Sequence, residues 1–89
     1  MKVKTIEGKS IKSVDGFHKS IKQLLNFPDY YGENLDAFWD CIRCIDTPVK
    51  IIWQDHEISK FNLKDYFNNI TELFREAEKE LEGFTIVYE

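Results

Sequence analysis

The chain has 89 residues, which is enough for one small domain and too few for two. Its residues are 43% hydrophobic and 15% aromatic, a composition typical of an ordered globular core rather than of a disordered segment. The formal net charge of -4 disfavours electrostatic binding to a nucleic-acid backbone. No apolar run has the length of a signal-peptide core at the N-terminus or of a membrane span elsewhere, so we expect a single cytoplasmic domain over residues 1–89.

The first part of the chain predicts a strand followed by a helix. A short strand is predicted at Lys2–Ile6, and the turn residues Glu7–Lys9 end it. Ser13 is a typical helix N-cap, and the apolar residues after it keep a period of about 3.6 as far as Leu25. Pro28 lies just beyond, so the first helix should end near Leu25.

The middle of the chain predicts a second helix and a second strand. A helix is expected from about Asn34 to Ile45, because Asn34 is a good cap and apolar residues follow it at helical spacing. Asp46–Pro48 breaks that pattern. The β-branched residues after it predict a strand at Val49–Trp53 with the character of a central strand.

The last part of the chain has a helical period followed by a third strand. The period starts at Asn62 and runs to Leu81, which fits either one helix or a short helix followed by a longer one. Gly83 ends it, and Phe84–Tyr88 has strand composition. Strands separated by helical stretches cannot form hairpins, so we expect an α/β fold, with a three-stranded parallel sheet and three to four helices. Whether helices cover both faces of the sheet stays open.

Residues 28–41 are the most distinctive segment, because they combine four carboxylates and several large aromatic rings without a single Lys or Arg. Asp36 and Asp40 are four residues apart and share one exposed flank of the predicted helix, where like charges repel by a few tenths of a kcal/mol. A carboxylate in the first helical turn is favoured by the helix dipole, which explains Asp36 well and Asp40 poorly. The segment therefore predicts a cationic partner. The simpler alternative is that these acids only stabilise the start of the helix through its dipole.

Two other uses of these acids have to be weighed. A small hydrolase could pair Asp36 or Asp40 with Glu76 as acid and base, although no familiar catalytic motif accompanies them. A divalent-cation site could use Asp29, Glu33 and Asp36, although the spacing does not match the EF-hand loop. Neither alternative has a motif of its own.

The cysteines and histidines give little support for a metal or catalytic site. Cys41 and Cys44 lack a second Cys or His pair, so we expect reduced thiols. His18 and His56 have no visible nucleophile or base beside them, and both are expected to be surface or packing residues.

Residues 28–41, with Tyr30–Asp36 at their centre, resemble the signature segment of the barstar family, and Phe74–Ala77 resembles a late helix of the same family. The resemblance extends over almost the whole chain. It implies a barstar-like fold and an intracellular, non-enzymatic inhibitor of a secreted microbial ribonuclease of the guanyl-specific, barnase type. The acidic helix and the loop before it would fill the cationic cleft, with carboxylates in place of RNA phosphates. We also expect that no cofactor is needed and that the free protein is a monomer, although the sequence leaves dimerisation through Cys44 open.

The resemblance also implies which residues bind the partner. Asp40 matches the acid at the phosphate site, Asp36 its companion one turn earlier, and Glu76 a further acid on the neighbouring helix. Cys44 and Ile45 stand where the family has a glycine and a tryptophan at the contact rim. Arg43 adds a positive charge there, and the Thr47–Pro48 bond matches a cis position. The full expected partner-binding set is Tyr30, Tyr31, Asn34, Asp36, Trp39, Asp40, Cys44, Ile45, Glu76 and Glu80.

Overall fold

A computed structural model describes all residues from Met1 to Glu89. It contains three strands, four α-helices and one 3₁₀ turn at Gly8–Ser10. In chain order these are β1 (Lys2–Glu7), α1 (Val14–Leu25), α2 (Leu35–Ile42), β2 (Val49–Gln54), α3 (His56–Leu63), α4 (Asp65–Glu80) and β3 (Phe84–Tyr88). No helix is both long enough and apolar enough to span a membrane.

The sheet has the strand order β1-β2-β3, and both pairings are parallel. In the register, Ile6 lies beside Trp53, and Trp53 in turn lies beside Tyr88. The prediction of an α/β fold with a three-stranded parallel sheet is therefore confirmed, with the helix count at the upper end of the expected range.

Burial alternates along the strands and shows which face of the sheet is covered. On β2, Val49, Ile51 and Trp53 are buried, whereas the residues between them are half-buried. Their neighbours on β3 repeat the pattern, with Phe84 buried and Thr85 exposed. The helices thus bury one face of the sheet and leave the other partly open, which answers the question that the sequence left open.

The first helix has the boundaries that its capping residues predict. The Ser13 hydroxyl accepts a hydrogen bond from the Gly16 backbone N–H at 3.0 Å, which satisfies one of the free donors of the first turn. At the other end, Asn26 adopts the left-handed conformation with a φ of 60° and closes the helix.

The second helix is shorter than the sequence predicts, since α2 ends at Ile42 rather than at Ile45. Beyond it, the Cys44 N–H donates to the Cys41 carbonyl, and the Ile45 N–H donates to the Ile42 carbonyl. These bonds join residues three apart, so the last turn tightens and leaves the α-helical path. The Thr47–Pro48 bond that follows is cis, as the resemblance implied.

The helical region after β2 begins earlier than expected, at His56 rather than at Asn62. Lys64, with a φ of 56°, separates α3 from α4, so the alternative of a short helix followed by a longer one is correct. The start of α3 escaped the periodicity because Phe61 is 81% exposed whereas Ser59 is fully buried. Ser59 accepts a hydrogen bond from the Trp53 indole N–H at 3.0 Å and donates one to the Gly8 carbonyl at 2.8 Å.

The core is built around aromatic rings that fix α2 in place. The Phe38 ring meets the Phe17 ring of α1 at a centroid distance of 5.6 Å and the Phe74 ring of α4 at 5.4 Å, both edge to face. The ring of Trp53 stacks on Phe17 from the sheet side at 5.6 Å. The acidic helix α2 is therefore anchored to α1 and α4 through its apolar side.

Candidate partner-binding site

The acidic stripe, which we define as Asp36 and Asp40, lies on the solvent side of α2. Phe38 and Ile42 of the same helix are fully buried, and this fixes which side of the helix faces outward. Both aspartates are exposed, and neither carboxylate forms an ion pair or a side-chain hydrogen bond within the molecule. The stripe is thus two free negative charges one turn apart on a fixed helix.

Asn34 begins α2 and serves as its cap. Its side-chain oxygen accepts a hydrogen bond from the Ala37 N–H at 2.8 Å, and its side-chain nitrogen donates to the Gly32 carbonyl at 3.3 Å. The predicted cap is confirmed. Because the side chain is occupied at both ends, Asn34 supports the start of the stripe, and its contact with a partner stays a prediction.

The two adjacent tyrosines of the preceding loop have opposite positions. Tyr30 is 88% exposed, whereas Tyr31 is only 6% exposed. The Tyr31 hydroxyl forms a hydrogen bond with His18 Nδ1 at 2.6 Å, and His18 Nε2 forms another with the Tyr66 hydroxyl at 2.7 Å. The Tyr30 ring is therefore open to solvent, and its contact with a partner stays a prediction, whereas the buried Tyr31 ring supports the loop from beneath.

His18 is the centre of this support, which the sequence did not reveal beyond the expectation of a packing residue. Burial lowers the pKa of His18 below its ordinary value, although the Glu33 and Asp15 carboxylates partly oppose the shift. Burial also raises the pKa of the Tyr31 and Tyr66 hydroxyls. A neutral imidazole has one donor and one acceptor, so one tyrosine donates to His18 and the other accepts from it.

A second support joins the loop to α1 through Lys19, which sequence reasoning missed. The Lys19 ammonium lies 2.9 Å from an Asp15 oxygen and 3.1 Å from a Glu33 oxygen. The hydrogen bond and the positive charge of Lys19 lower the pKa of Asp15. The hydrogen bonds to the Asp15 and Glu33 carboxylates raise the pKa of Lys19. Glu33 is therefore paired with a cation within the molecule, in contrast to the acidic stripe.

The structure does not gather the loop acids into a metal site. No three Asp, Glu, His or Cys side chains are placed to hold a metal ion together. Glu33 is instead engaged by Lys19, at 3.1 Å, which gives it a structural use.

Two further acids of the expected set, Glu76 and Glu80, are exposed on α4 beside α2. The Glu80 carboxylate lies 3.8 Å from the Arg43 Nε atom, and the Glu76 carboxylate lies 3.6 Å from the Lys79 ammonium. The Arg43 guanidinium also lies over the half-buried ring of Trp39, 5.8 Å from its centroid. Arg43 thereby joins the end of α2 to the end of α4.

The remaining rim residues line a groove of about 610 Å³ beside the stripe. Cys44 is exposed, whereas Ile45 is half-buried and packs against the edge of the core. Cys41 and Cys44 are free thiols, and burial raises the pKa of Cys41. The expected residues that share this groove are Tyr30, Asp40, Cys44 and Ile45.

Asp40 lies between the two groups of expected partner-binding residues. It shares the groove with Tyr30 on the loop side, and it follows Trp39, which Arg43 connects to Glu80. Tyr31 is the one expected residue whose side chain faces the interior.

Two comparisons with known proteins identify the family of the chain. Residues 1–89 match the family model "Barstar (barnase inhibitor)". The chain is also similar to a protein of Bacillus subtilis (strain 168) named "Putative ribonuclease inhibitor YrdF", with 37% identity over 86 residues that cover 94% of each chain. On its fold, on the match over its full described length and on this relative, the chain belongs to the barstar (barnase inhibitor) family.

Proposed function

We propose that this protein inhibits a secreted guanyl-specific ribonuclease of the barnase type by inserting the acidic stripe and the Tyr30 loop into the enzyme's active-site cleft. The observation that carries the proposal is the pair Asp36 and Asp40, exposed, unpaired and one turn apart on an anchored helix. Family membership and the name of the Bacillus subtilis relative support the ribonuclease as target.

The chemistry of RNA cleavage explains why carboxylates suit this role. An enzyme that binds RNA must line its cleft with Lys, Arg and His, which make charge-assisted hydrogen bonds to phosphate oxygens. A carboxylate accepts the same hydrogen bonds. Two carboxylates on one rigid helix therefore compete with two phosphate positions by charge, without reproducing a base.

The rigidity of α2 adds to the expected affinity. The helix is fixed by the buried Phe38 and Ile42 and by the Asn34 cap, so the two aspartates lose little freedom when a partner binds. The net charge of -4 favours rapid encounter with a cationic enzyme at low salt, an effect for which the barnase and barstar pair is the standard example.

The alternative of a hydrolase finds no support in the geometry. The groove that Asp40 lines contains Asp46 but neither Asp36 nor Glu76, so the carboxyl pairs considered for acid and base catalysis do not meet in this groove. We therefore propose a non-enzymatic, cytoplasmic, monomeric inhibitor that protects the cell producing the ribonuclease.

Inhibition of RNA cleavage tests the proposal. The purified protein is added to a barnase-type ribonuclease, and the rate of RNA hydrolysis is followed at low and at high salt. We expect stoichiometric inhibition at low salt and slower association at high salt, because ions screen the charges that steer the encounter. Full RNA cleavage at both salt concentrations with the inhibitor in excess contradicts the proposal.

A further inference from the structure

Arg43 is the single basic residue between Pro28 and Asp46, and it stands on the acidic side of α2. Arg43 directly follows the last residue of α2, and its own backbone angles, φ -67° and ψ -19°, are still helical. Its backbone N–H donates to the Trp39 carbonyl at 3.1 Å. By the helical period, residues 36, 39, 40 and 43 fall within about 100° of arc. A cation therefore lies at the end of a stripe that is otherwise anionic.

The side chain of Arg43 is positioned by two contacts. Its guanidinium carbon is 5.8 Å from the centroid of the Trp39 ring, and its Nε atom is 3.8 Å from a Glu80 carboxylate oxygen. The first contact is a cation–π interaction and the second a loose ion pair. Together they direct the guanidinium along the surface between α2 and α4.

These contacts leave most of the guanidinium available. The Arg43 side chain is 56% exposed. A guanidinium carries five N–H donors in a fixed fork, whereas the Glu80 contact engages only its Nε side. The Arg43 guanidinium makes no hydrogen bond within the molecule, and its fork of donors fits a planar acceptor, above all a carboxylate.

The same contacts alter the two expected binding residues beside Arg43. One face of the Trp39 ring is covered, so a cation of the partner cannot stack there without displacing Arg43. The charge of Glu80 is partly compensated, which weakens its attraction for a partner Lys or Arg. This corner of the surface thus presents a cation where the neighbouring stripe presents anions.

We propose that Arg43 determines which ribonuclease is bound: the cognate enzyme carries a carboxylate at the rim of its cleft, facing Arg43, and enzymes with Lys or Arg at that place are disfavoured. The inference rests on the proposed function and names a feature of the partner. Specificity between related partners commonly depends on such a repulsive contact in addition to the attractive ones.

The sign of the effect separates this role from simple attraction between net charges. Removing a positive charge makes the inhibitor more anionic, so simple attraction predicts tighter binding of every cationic ribonuclease by an Arg43→Gln variant. A role in selection predicts that the outcome depends on the charge facing Arg43, with tighter binding where that charge is positive and weaker binding where it is negative.

A double-mutant cycle tests the inference. The probe is a barnase-type ribonuclease and a set of its variants, each with one Lys or Arg at the rim of the cleft replaced by Glu. Dissociation constants are measured for the natural inhibitor, Arg43→Gln and Arg43→Lys. Lys12→Gln, an exposed residue outside the site, serves as the control for the same loss of charge. Thermal unfolding of each inhibitor variant confirms that it is folded.

For each ribonuclease, the dissociation constant of Arg43→Gln is divided by that of the natural inhibitor. We expect this ratio to be at least about fivefold larger for one Glu-substituted ribonuclease than for the parent enzyme. Arg43→Lys should give an intermediate ratio, and Lys12→Gln should give the same ratio with every ribonuclease. Coupling below this size for every replacement overturns the inference and leaves the proposed function intact. If the natural inhibitor binds neither the parent enzyme nor any variant, the proposed function fails, and this inference fails with it.

Discussion

Glu33 in the loop before α2 and the two aspartates on α2 are all carboxylates, but their surroundings are opposite. Glu33 of the loop lies 3.1 Å from the Lys19 ammonium, which also binds Asp15 at 2.9 Å. Asp36 and Asp40 form no ion pair within the molecule, although Lys at either position would form a favourable pair with the other. The difference indicates that Glu33 connects the loop to α1 through Lys19, whereas the stripe has no ion-pair partner within the molecule, at a small local cost.

The largest expected effect is the loss of binding on removal of Asp40. Asp40→Ala should weaken binding to a barnase-type ribonuclease by about 2 to 5 kcal/mol, because cations of the cleft would be left desolvated and unpaired. A loss of about this size is typical when one partner of a buried, hydrogen-bonded charge pair at an interface is truncated. Titration calorimetry measures the loss.

The matched control for Asp40 is Glu7→Gln, which removes one negative charge from the exposed end of β1. It should reduce the association rate slightly and leave the dissociation rate unchanged. Equal losses of affinity from the two substitutions would contradict the proposal that Asp40 is the main binding residue.

A smaller effect, on stability rather than on direct contact, is expected at Tyr31. Tyr31→Phe deletes the hydroxyl that pairs with His18 Nδ1 at 2.6 Å and leaves a buried polar atom without its partner. The free energy of unfolding should fall by about 1 to 3 kcal/mol. Chemical denaturation measures it, with Tyr30→Phe, exposed in the same loop, as the control that should change nothing. A Tyr31→Phe protein as stable as the natural one would mean that the loop does not depend on this bond.

The same support makes stability depend on pH. Burial lowers the pKa of His18 in the folded protein, whereas the unfolded chain titrates near the ordinary value of about 6.5. Below that value the unfolded state binds a proton that the folded state resists, so the free energy of unfolding decreases as the pH falls. Urea denaturation at several pH values between about 5.5 and 7.5 avoids most carboxylate titration.

The control for the pH effect is His18→Gln, which lacks the titrating ring. Its stability, although lower at neutral pH, should change less across this pH range than that of the natural protein. A pH dependence that persists unchanged in His18→Gln would assign the effect to another group.

The smallest effect is expected from the surface ion pairs of the loop. Lys19→Gln removes contacts with two acids, but all three side chains are accessible to solvent, where such pairs contribute little. We expect a melting temperature close to that of the natural protein and an unchanged dissociation constant with the ribonuclease. A large loss of affinity would show that Lys19 positions the loop for binding more strongly than the exposure of the pair suggests.

The features that the sequence predicted well depend on neighbours within one or two helical turns. Ser13 and Asn34 cap their helices, and the spacing of Phe38 and Ile42 places Asp36 and Asp40 on the exposed side. The strands were also clear from their β-branched residues, and the parallel pairing followed from the helices between them.

The features that sequence reasoning missed depend on residues distant in the chain. Tyr31 is held inward by His18 and, through it, by Tyr66 on α4, and no local pattern announces that contact. The early start of α3 depends on the burial of Ser59 against β2 and the 3₁₀ turn, whereas the exposed Phe61 breaks the apolar period. Prediction from periodicity assumes that apolar residues are buried and polar ones exposed. The buried polar Ser59 and the exposed apolar Phe61 both break that assumption.

The central claim is that the acidic stripe takes the place of RNA phosphates, and competition with a nucleotide tests it most directly. A barnase-type ribonuclease is titrated with the inhibitor at increasing concentrations of guanosine 3′-monophosphate, which occupies the cleft of a guanyl-specific enzyme. If the stripe binds where the phosphates bind, the apparent dissociation constant of the inhibitor should rise in proportion to the nucleotide concentration once the nucleotide saturates the enzyme. An apparent dissociation constant that does not change, with inhibitor and nucleotide bound together, would contradict it.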